Sequence, residues 1–500
     1  MAKRKEESAS CCVLTLPLLT EPWQEHILEK RFKIIEHLQN SLIGFEMRKY
    51  HRVVRTKEYQ DLMRAIEAVP KDKSRALYRQ RNDMLSKAGF TRNEFKDDMT
   101  PMQKHFAEHI ATQIGHRAAS DVWRAFEKFL FSNGKQVHLK KRGSLDSVSS
   151  QQKNQSMFYR NDCFEWCGGG SGKGKKVLKI RVAYPKTEYE HKMLEKEHKT
   201  LRVVRKWMKT RYKYYLQITL VGEPVSKNRG IVPGRVGIDI GTQTIAIASE
   251  KDVRLMELVP QVNRNHQELQ LIQRKMDSSK RATNPDNYNP DGTIRRGVKL
   301  RWMYSKRYKR LAGRARELQR KNADIRKYEH YCLANYILSL GDEIYVEPMN
   351  FSGLQRRAKE TTTDEKGRFR KKKRFGKSLA NKAPSMLINV ILKSKAKAMG
   401  ITGVQEVDRN TYKASQYDHT DRTFRKKLLS ERMSALSNGD KVQRDMYSAF
   451  LLMNADETLR APDQRRCEEG YARFKDLHDR EIERIRHDGK RHLSSFGIAG

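Results

Sequence analysis

Residues 235–249 read RVGIDIGTQTIAIAS, and this stretch decides the fold predicted for the chain. Large aliphatic residues alternate there with Gly237, Asp239 and Gly241, which is the two-residue period of a β-strand. A second apolar run at 245–248 follows a polar turn, so the pattern predicts a buried hairpin. Asp239 is a carboxylate among glycines and aliphatic side chains, and such a group needs a partner, a metal ion or a proton.

The composition indicates a polyanionic partner. The 500 residues include 103 Lys and Arg against 60 Asp and Glu, a formal net charge of +43. A folded chain with this charge is best explained by a nucleic acid that binds over much of its surface. No apolar run approaches 18 residues, so we expect no membrane segment. Six scattered cysteines indicate a reducing cytoplasm rather than a disulfide framework.

The first half of the chain predicts a strand, a helical region and then more strands. Residues 11–16 predict a strand, Pro22 opens a helix, and helical patterning continues to about residue 130. After 129 the pattern is that of a small barrel or sheet, and Asn133-Gly134 is typical of a tight hairpin turn.

Three short motifs in this half are weak. His105-Phe-Ala-Glu108-His109 matches a zinc-protease pattern, but no convincing third ligand follows it. A net charge of +43 also has no role in a peptidase. Residues 169–175 match a phosphate-binding loop only in part, because Lys176 replaces the required Ser or Thr; a mobile basic loop fits better. Cys163 and Cys167 lack a second pair, which argues against zinc.

The second half predicts basic helices and loops around the strands. Residues 260–279 and 301–340 predict helices, separated by a polar loop at 280–300, and arginines on the second helix suit phosphate contacts. Its apolar positions at helical spacing are Leu311, Ala315, Leu318, Ile325, Tyr328 and Cys332. Residues 354–383 predict an exposed lysine-rich loop, which could be a basic lid, and 409–440 a polar, irregular segment.

Three acidic residues are candidates for one metal site. Asp239 lies on a strand, Glu347 ends the strand predicted at 343–350, and Asp445 begins a helix. Each adjoins an apolar element and could therefore face a common cleft. Converging carboxylates are tolerated when divalent cations compensate them, and Mg²⁺ suits a site of few carboxylates with water and phosphate oxygens. Two ions about 3.5–4 Å apart would serve phosphodiester hydrolysis.

Three motifs then carry a family resemblance. GIDIGTQTIAIAS (237–249), IYVEPMNFSG (344–353) and VQRDMYSAF (442–450) resemble the split RuvC nuclease motifs of TnpB/OrfB transposon proteins and compact type V CRISPR effectors. Residues 383–416 resemble the stretch that these proteins place between the second and third motifs, and the likeness covers about residues 200–455. Three motifs in order, with this charge, are fairly specific.

The resemblance implies a multidomain α+β fold with an RNase H-like (RuvC) α/β nuclease domain. It implies RNA-guided, Mg²⁺-dependent DNA cleavage leaving 5′-phosphates, with Asp239, Glu347 and Asp445 as catalytic metal ligands. The implied domains are two parts of a wedge β-barrel (1–20 and 129–230), a helical recognition lobe (21–128), a nuclease domain (231–407), a target-nucleic-acid-binding insertion (408–440), and the third motif with the C-terminal tail (441–500). The implied partners are a guide RNA, target double-stranded DNA and its displaced strand, in a prokaryotic, nucleoid-associated cytoplasmic setting.

One departure concerns the insertion. Relatives carry a four-cysteine zinc ribbon between Ser415-Gln416 and Arg444-Asp445, whereas this chain has no cysteine there. We therefore expect no zinc ribbon, and the segment must be held by packing or remain partly disordered.

Other functions remain open at this stage. GIDIGT also begins the phosphate loop of actin-like kinases, although the further motifs of a kinase are missing. An RNA-guided DNA-binding protein without cleavage is a second alternative, and a transposase performing strand transfer is a weaker one. The three acids could also be unrelated strand-end and helix-cap residues.

Overall fold

The computed structural model describes residues 10–498 apart from 71–73, 170–175, 186, 226–231, 357–361, 364–368, 371–374, 427, 429–430 and 490–491. The chain divides into two compact units, Met1–Val225 and Ser226–Gly500. The domain boundaries drawn from the sequence remain predictions.

The first unit contains a helical bundle. Its longest helix begins at Pro22 as predicted, with Glu21 and Gln24 forming a reciprocal capping box, and it buries the apolar stripe that includes Leu28, Phe32 and Leu38. The helices are α1 (Pro22–Val54), α2 (Lys57–Ala68), α3 (Arg75–Lys87), α4 (Arg92–Lys104), α5 (Thr112–Phe131) and the short α6 (Glu188–Leu194).

An antiparallel sheet of seven strands completes this unit. The strands are β1 (Cys11–Leu19), β2 (Ser147–Ser149), β3 (Met157–Arg160), β4 (Cys163–Cys167), β5 (Val177–Val182), β6 (His198–Met208) and β7 (Arg211–Val221), in the order β2-β6-β7-β1-β5-β4-β3. β1 joins the two halves, since its first part pairs with β7 and Leu18–Leu19 pair with β5. The edge strands β2 and β3 do not pair with each other among the described residues, so the predicted barrel is not seen as a closed ring.

The hairpin predicted at Asn133-Gly134 is wrong. Helix α5 runs to Phe131, and the Gly134 N–H then donates to the Lys128 carbonyl at 2.9 Å. A Cβ at residue 134 would lie 2.6 Å from that oxygen. Glycine is therefore required by the close passage of the chain past the end of α5, and no strand follows it directly.

Two of the weak motifs of the first unit lie at residues 105–109 and 169–175. Residues 105–109 form turns after α4, and Glu108 of the H-x-x-E-H pattern forms an ion pair with Lys176. Most of the glycine-rich stretch at 169–175 lies outside the described residues.

The second unit is built on a mixed sheet of five strands. These are β8 (Arg235–Ile240), β9 (Thr244–Ser249), β10 (Val253–Glu257), β11 (Glu343–Val346) and β14 (Gly403–Glu406), in the order β10-β9-β8-β11-β14. β8 to β10 are antiparallel neighbours, whereas β11 is parallel to both β8 and β14. The hairpin predicted from RVGIDIGTQTIAIAS is β8–β9. Both faces of this sheet are buried.

Helices cover the two faces. They are α7 (Val262–Thr283), α8 (Lys306–Leu340), α9 (Phe351–Gln355), α10 (Gly376–Lys382), α11 (Pro384–Met386), a π-helical segment (Leu387–Leu392), α12 (Lys393–Met399), α13 (Arg409–Tyr412), α14 (Arg444–Met453) and α15 (Gln464–His487). Short 3₁₀ turns lie at Pro285–Asn287 and Ser494–Phe496. None of the helices in the described part of the chain is long and apolar enough to cross a membrane.

Helices α7 and α8 form an antiparallel arm with its own small core, in which Leu269 and Ile272 meet Ala315 and Leu318. The predicted apolar face of α8 is wrong at its C-terminal end. Tyr328 is 67% exposed and Cys332 is exposed, because this half of α8 packs against the sheet through a rotated face that includes Ala334 and Ile337.

The predicted loop at 354–383 contains a short hairpin, β12 (Thr362–Thr363) with β13 (Phe369–Arg370), and a helix at its end. Lys382 closes α10 and is buried, with its Nζ donating to Glu257 at 2.6 Å and to Asn263 at 2.8 Å. The side chains of the basic run Arg370–Arg374 lie outside the described residues, so the proposed lid remains a prediction.

The predicted irregular segment at 409–440 has regular structure. Two short hairpins follow α13, namely β15 (Tyr417–Asp418) with β16 (Thr423–Phe424), and β17 (Met433–Ala435) with β18 (Lys441–Gln443). β18 runs directly into α14.

Candidate active site

Asp239 lies on the central strand of the five-stranded sheet, on the face covered by α14. Val236 and Ile238 point to the opposite core, so Gly237 and Asp239 face the helix. A Cβ at residue 237 would lie 1.9 Å from the Ala449 carbonyl oxygen, which shows how closely α14 approaches β8. The carboxylate predicted on a polar side of the hairpin is therefore enclosed by a helix, with only partial solvent exposure.

Glu347 is brought beside Asp239 by strand register. β11 pairs with β8 in parallel, with Val346 opposite Ile238, so the next residue along each strand is Glu347 and Asp239. Glu347 has a side chain that is 34% exposed, and Arg409 from the start of α13 lies 3.9 Å from it.

Asp445 occupies the first turn of α14. Gln443 caps this helix, since its Oε1 accepts the Met446 N–H at 2.8 Å. Two residues of strand and one turn of helix cover about the same length, roughly 6 Å. Asp239 lies two residues after Gly237 on β8, and Asp445 lies about one turn before Ala449 on α14. Because Gly237 contacts Ala449, Asp239 lies near Asp445.

Asp445 is held by two arginines. Its Oδ1 accepts from Arg444 at 3.1 Å, and its Oδ2 lies 3.6 Å from Arg432. The Asp445 side chain is 15% exposed, and that of Arg444 is 10% exposed. These cations offset part of the negative charge that the three acids concentrate.

The electrostatics show that the three acids share one environment. Burial raises the pKa of Asp239 well above its usual value, the Asp445 and Glu347 carboxylates raise it further, and Arg444 and Arg432 partly oppose them. Burial also raises the pKa of Glu347, against the effect of Arg409. A cation site that is still empty brings carboxylates close together, and their mutual repulsion raises the pKa of the buried one. The raised pKa of Asp239 fits such a site.

The three candidate side chains suit Mg²⁺ chemically, because all are carboxylates. The contacts of Glu347 and Asp445 with the neighbouring arginines can be exchanged for a metal ion. The three carboxylates do not form a ready-made metal site, however. Among the described residues no group of three or more His, Cys, Asp or Glu side chains stands close enough to hold a metal ion. Asp445 is engaged by its arginines instead, so this side chain would have to change partners to hold a metal ion.

Two cations of the site were not singled out by the sequence. Arg409 follows β14 closely, and a basic residue at the carboxyl end of a strand beside β11 was a usable signal. Arg432 carried no such signal, because one arginine among 103 Lys and Arg residues is not distinctive and its contact with Asp445 depends on the hairpin β17–β18.

No protein-family model matches the chain, and no curated protein matches it. Among solved structures, a cryo-EM structure of a Cas12f1–sgRNA–target DNA complex is 12% identical, with a TM-score of 0.47 over 89% of this chain and 99% of that chain. A cryo-EM structure of a CRISPR-Cas12f ternary complex is also 12% identical, with a TM-score of 0.29 over 86% of this chain and 82% of that chain. Both alignments extend over most of this chain.

Proposed function

We propose that the protein is an RNA-guided DNA endonuclease whose chemistry depends on Asp239, Glu347 and Asp445. The observation that carries this proposal is the shared environment of these acids, which come from a strand, a strand end and a helix start far apart in the sequence. Unrelated structural acids would have no reason to converge where burial and like charge both disfavour them.

The sheet supports a nuclease of the RNase H-like class. An antiparallel meander, β10-β9-β8, extended by the parallel strands β11 and β14, gives the order 3-2-1-4-5 expected of that fold. Asp239 lies on strand 1 of this order, which is β8, Glu347 directly follows strand 4, which is β11, and Asp445 lies in the first turn of the helix α14. The motif resemblance of residues 200–455 points to the same class.

Asp239, Glu347 and Asp445 would hold the metal. When bound there, Mg²⁺ would supply charge neutralisation at the scissile phosphate and a lowered pKa for an attacking water. Asp239 and Glu347 present their oxygens from neighbouring strands. Arg444 and Arg432, once Asp445 turns from them, are free to contact phosphate oxygens as bidentate donors.

The arm of α7 and α8 supplies a surface for the nucleic acid. Eight Lys and Arg residues between 295 and 310 are all exposed, and this span contains no acidic residue. The loop that joins the helices is fixed by Asn284, whose Oδ1 accepts from Met303 N at 2.7 Å and whose Nδ2 donates to Met303 O at 2.9 Å. Lys280 lies 3.7 Å from the Trp302 ring, so an aromatic surface stands among the charges. A fixed basic and aromatic surface suits phosphates and unpaired bases.

A guide RNA is proposed from the net charge of +43 and the motif resemblance. Base pairing of the guide with one DNA strand would supply sequence specificity, while protein side chains read a short flanking motif.

The test begins with the protein produced together with the DNA that flanks its gene. RNA that copurifies is sequenced, and the complex is incubated in Mg²⁺ with a plasmid library carrying the matching target beside random flanks. A discrete RNA and target-dependent cuts with 5′-phosphates support the proposal.

A guided DNA-binding protein without cleavage is the second candidate, favoured by the arginines that occupy Asp445. Guided binding with no cutting would establish it. Absence of a discrete RNA, with ATP hydrolysis instead, would favour the kinase alternative.

A further inference from the structure

The segment between α13 and α14 forms two hairpins whose turns meet. The turn of β15–β16 holds residues 419–422, and the turn of β17–β18 holds residues 436–440. Strands of two or three residues cannot sustain such hairpins alone, so other interactions must hold them.

Asp418 provides the connection between the turns. Asp418 is only 2% exposed, and both of its carboxylate oxygens accept hydrogen bonds. Oδ1 accepts from Thr420 N at 3.0 Å and Thr420 Oγ1 at 2.7 Å, within its own turn. Oδ2 accepts from Ser437 N at 2.9 Å and Ser437 Oγ at 3.2 Å, across to the other hairpin.

Asp421 strengthens the same connection. Its Oδ1 accepts from Thr423 N at 3.1 Å and Thr423 Oγ1 at 2.7 Å. Its Oδ2 contacts both Ser437 Oγ and Arg425. The Ser437 hydroxyl is therefore within hydrogen-bonding reach of both carboxylates.

The spacing of these residues is that of a zinc ribbon without its thiolates. Asp418 and Asp421 are separated by two residues, and so are Ser434 and Ser437 on the second hairpin. Ribbons place two pairs of Cys with this spacing on two hairpins, around one Zn²⁺. Ser434 is 7% exposed, and its Oγ has no hydrogen-bond partner among the described residues.

The second hairpin leads directly to the candidate active site. Beyond the Met433–Gln443 pair, the Arg444 N–H donates to the Arg432 carbonyl at 2.9 Å, which extends the ladder by one step. Arg432 and Arg444 are the two arginines on Asp445. One end of this hairpin is thus fixed by Asp418, and its other end carries the cations of the site.

We propose that Asp418 is a positioning residue, whose bonds to Ser437 close a metal-free ribbon and so hold Arg432 and Arg444 against Asp445. The effect on cleavage rests on the proposed function, whereas the closure of the ribbon does not.

The first experiment compares Asp418→Asn with Asp291→Asn in the full chain. Asp291 makes the same local turn, accepting from Thr293 N at 2.8 Å and Thr293 Oγ1 at 2.7 Å, but it lies on the exposed loop between α7 and α8. Hydrogen exchange followed by mass spectrometry should show residues 433–443 exchanging about tenfold faster in Asp418→Asn and unchanged in Asp291→Asn. Unchanged exchange in both variants would overturn the proposal.

The second experiment restores the thiolates. The variant Asp418→Cys/Asp421→Cys/Ser434→Cys/Ser437→Cys should bind one Zn²⁺ per chain by elemental analysis, while the wild type binds none. Zinc should also return residues 433–443 to wild-type exchange rates. A folded variant that takes up no zinc would show that these positions do not surround a common point.

Cleavage supplies the readout for positioning. Asp418→Asn should lower the single-turnover cleavage rate about tenfold with unchanged target affinity, and the zinc-loaded four-cysteine variant should recover it. Lost affinity with an unchanged rate would contradict a positioning role. If the wild type does not cleave, the proposed function fails, while exchange and zinc uptake still decide whether the ribbon is closed by Asp418.

Discussion

Gly237 and Ala449 are in direct backbone contact, and a Cβ on Gly237 would lie 1.9 Å from the Ala449 carbonyl oxygen and 2.4 Å from the Met453 nitrogen. No side chain rotation relieves such an overlap, because both atoms belong to the backbone of α14. The glycine therefore sets the distance between the strand of Asp239 and the helix of Asp445.

Gly237→Ala should push α14 away from β8. We expect the free energy of unfolding to fall by about 1–3 kcal/mol or more, as for other overpacked cores, together with a loss of cleavage. Urea unfolding and single-turnover cleavage measure the two effects. Gly313→Ala is the control, since a Cβ at that helical position meets nothing within 4 Å. Equal stability of Gly237→Ala and Gly313→Ala would contradict the contact.

The sequence was sufficient to predict the elements with clear periodicity. Strand β8, the start of α1 at Pro22 and the start of α14 follow from local patterns. Local patterns did not show that β8 is covered on both faces, because a glycine at 237 signals a close approach without naming the element that approaches. The contact of Arg432 with Asp445 and the close passage of Gly134 past the end of α5 likewise depend on residues outside the local window.

The sequence proposed the three acids of the candidate site but not the contacts that Asp445 makes with arginines. Parallel register of β8 and β11 makes Glu347 a neighbour of Asp239, as expected for acids at strand ends. The contact of Arg432 with Asp445 was not foreseen, since it depends on the hairpin β17–β18 in a segment that reads as polar and irregular. Only the folded arrangement shows the arginines with which the proposed metal ion would compete for Asp445.

The arm of α7 and α8 should bind nucleic acid through its exposed charges. Arg307→Ala/Arg310→Ala removes two exposed cations and should weaken RNA binding, reducing the slope of log K against log salt by roughly 0.7 per lost phosphate contact on a single strand. Filter binding between 50 and 300 mM salt measures this slope. The control is Arg465→Ala, an exposed arginine of α15 that pairs with Glu469 at 2.7 Å. A slope that does not change in Arg307→Ala/Arg310→Ala would exclude the arm from the RNA contact.

Glu46 should make the first unit less stable as pH rises. Burial raises the pKa of Glu46 from 4.5 to about 8, the neighbouring Asp98 adds to the shift, and Lys49 partly offsets it. Because the folded state holds this proton more tightly than the unfolded state, the contribution of Glu46 to the unfolding free energy is fully present below about pH 4.5 and is lost as pH rises to about 8.

Glu46→Gln should flatten that dependence between pH 5 and 8. Urea unfolding followed by tryptophan fluorescence reports on the first unit, since four of the five tryptophans lie there. Glu29→Gln, on the exposed side of the same helix, should leave the wild-type slope unchanged. A stability difference between the wild type and Glu46→Gln that is the same at pH 5 and pH 8 would contradict a buried, protonated Glu46.

Gly497 should control the position of Arg432. It has a φ of +68°, and a Cβ there would lie 2.1 Å from the Arg432 Cβ. Gly497→Ala should displace Arg432 and lower the cleavage rate while target affinity is retained. Gly489→Ala is matched to it, with a φ of +66° and nothing within 4 Å of the added Cβ, so both variants carry the same backbone strain. Identical cleavage rates in the two variants would show that the contact with Arg432 does not matter.

The central claim is that Asp239 is a metal ligand of a nuclease site, and Asp239→Asn tests it most directly. Without Mg²⁺ the variant should melt at a higher temperature than the wild type, because a buried charge beside two carboxylates is removed. Addition of Mg²⁺ should raise the melting temperature of the wild type and of the control Glu343→Gln, which alters the far end of β11, but not that of Asp239→Asn. The account predicts that Asp239→Asn keeps guided binding and loses cleavage in Mg²⁺. Cleavage at the wild-type rate, with an undiminished response to Mg²⁺, would contradict it.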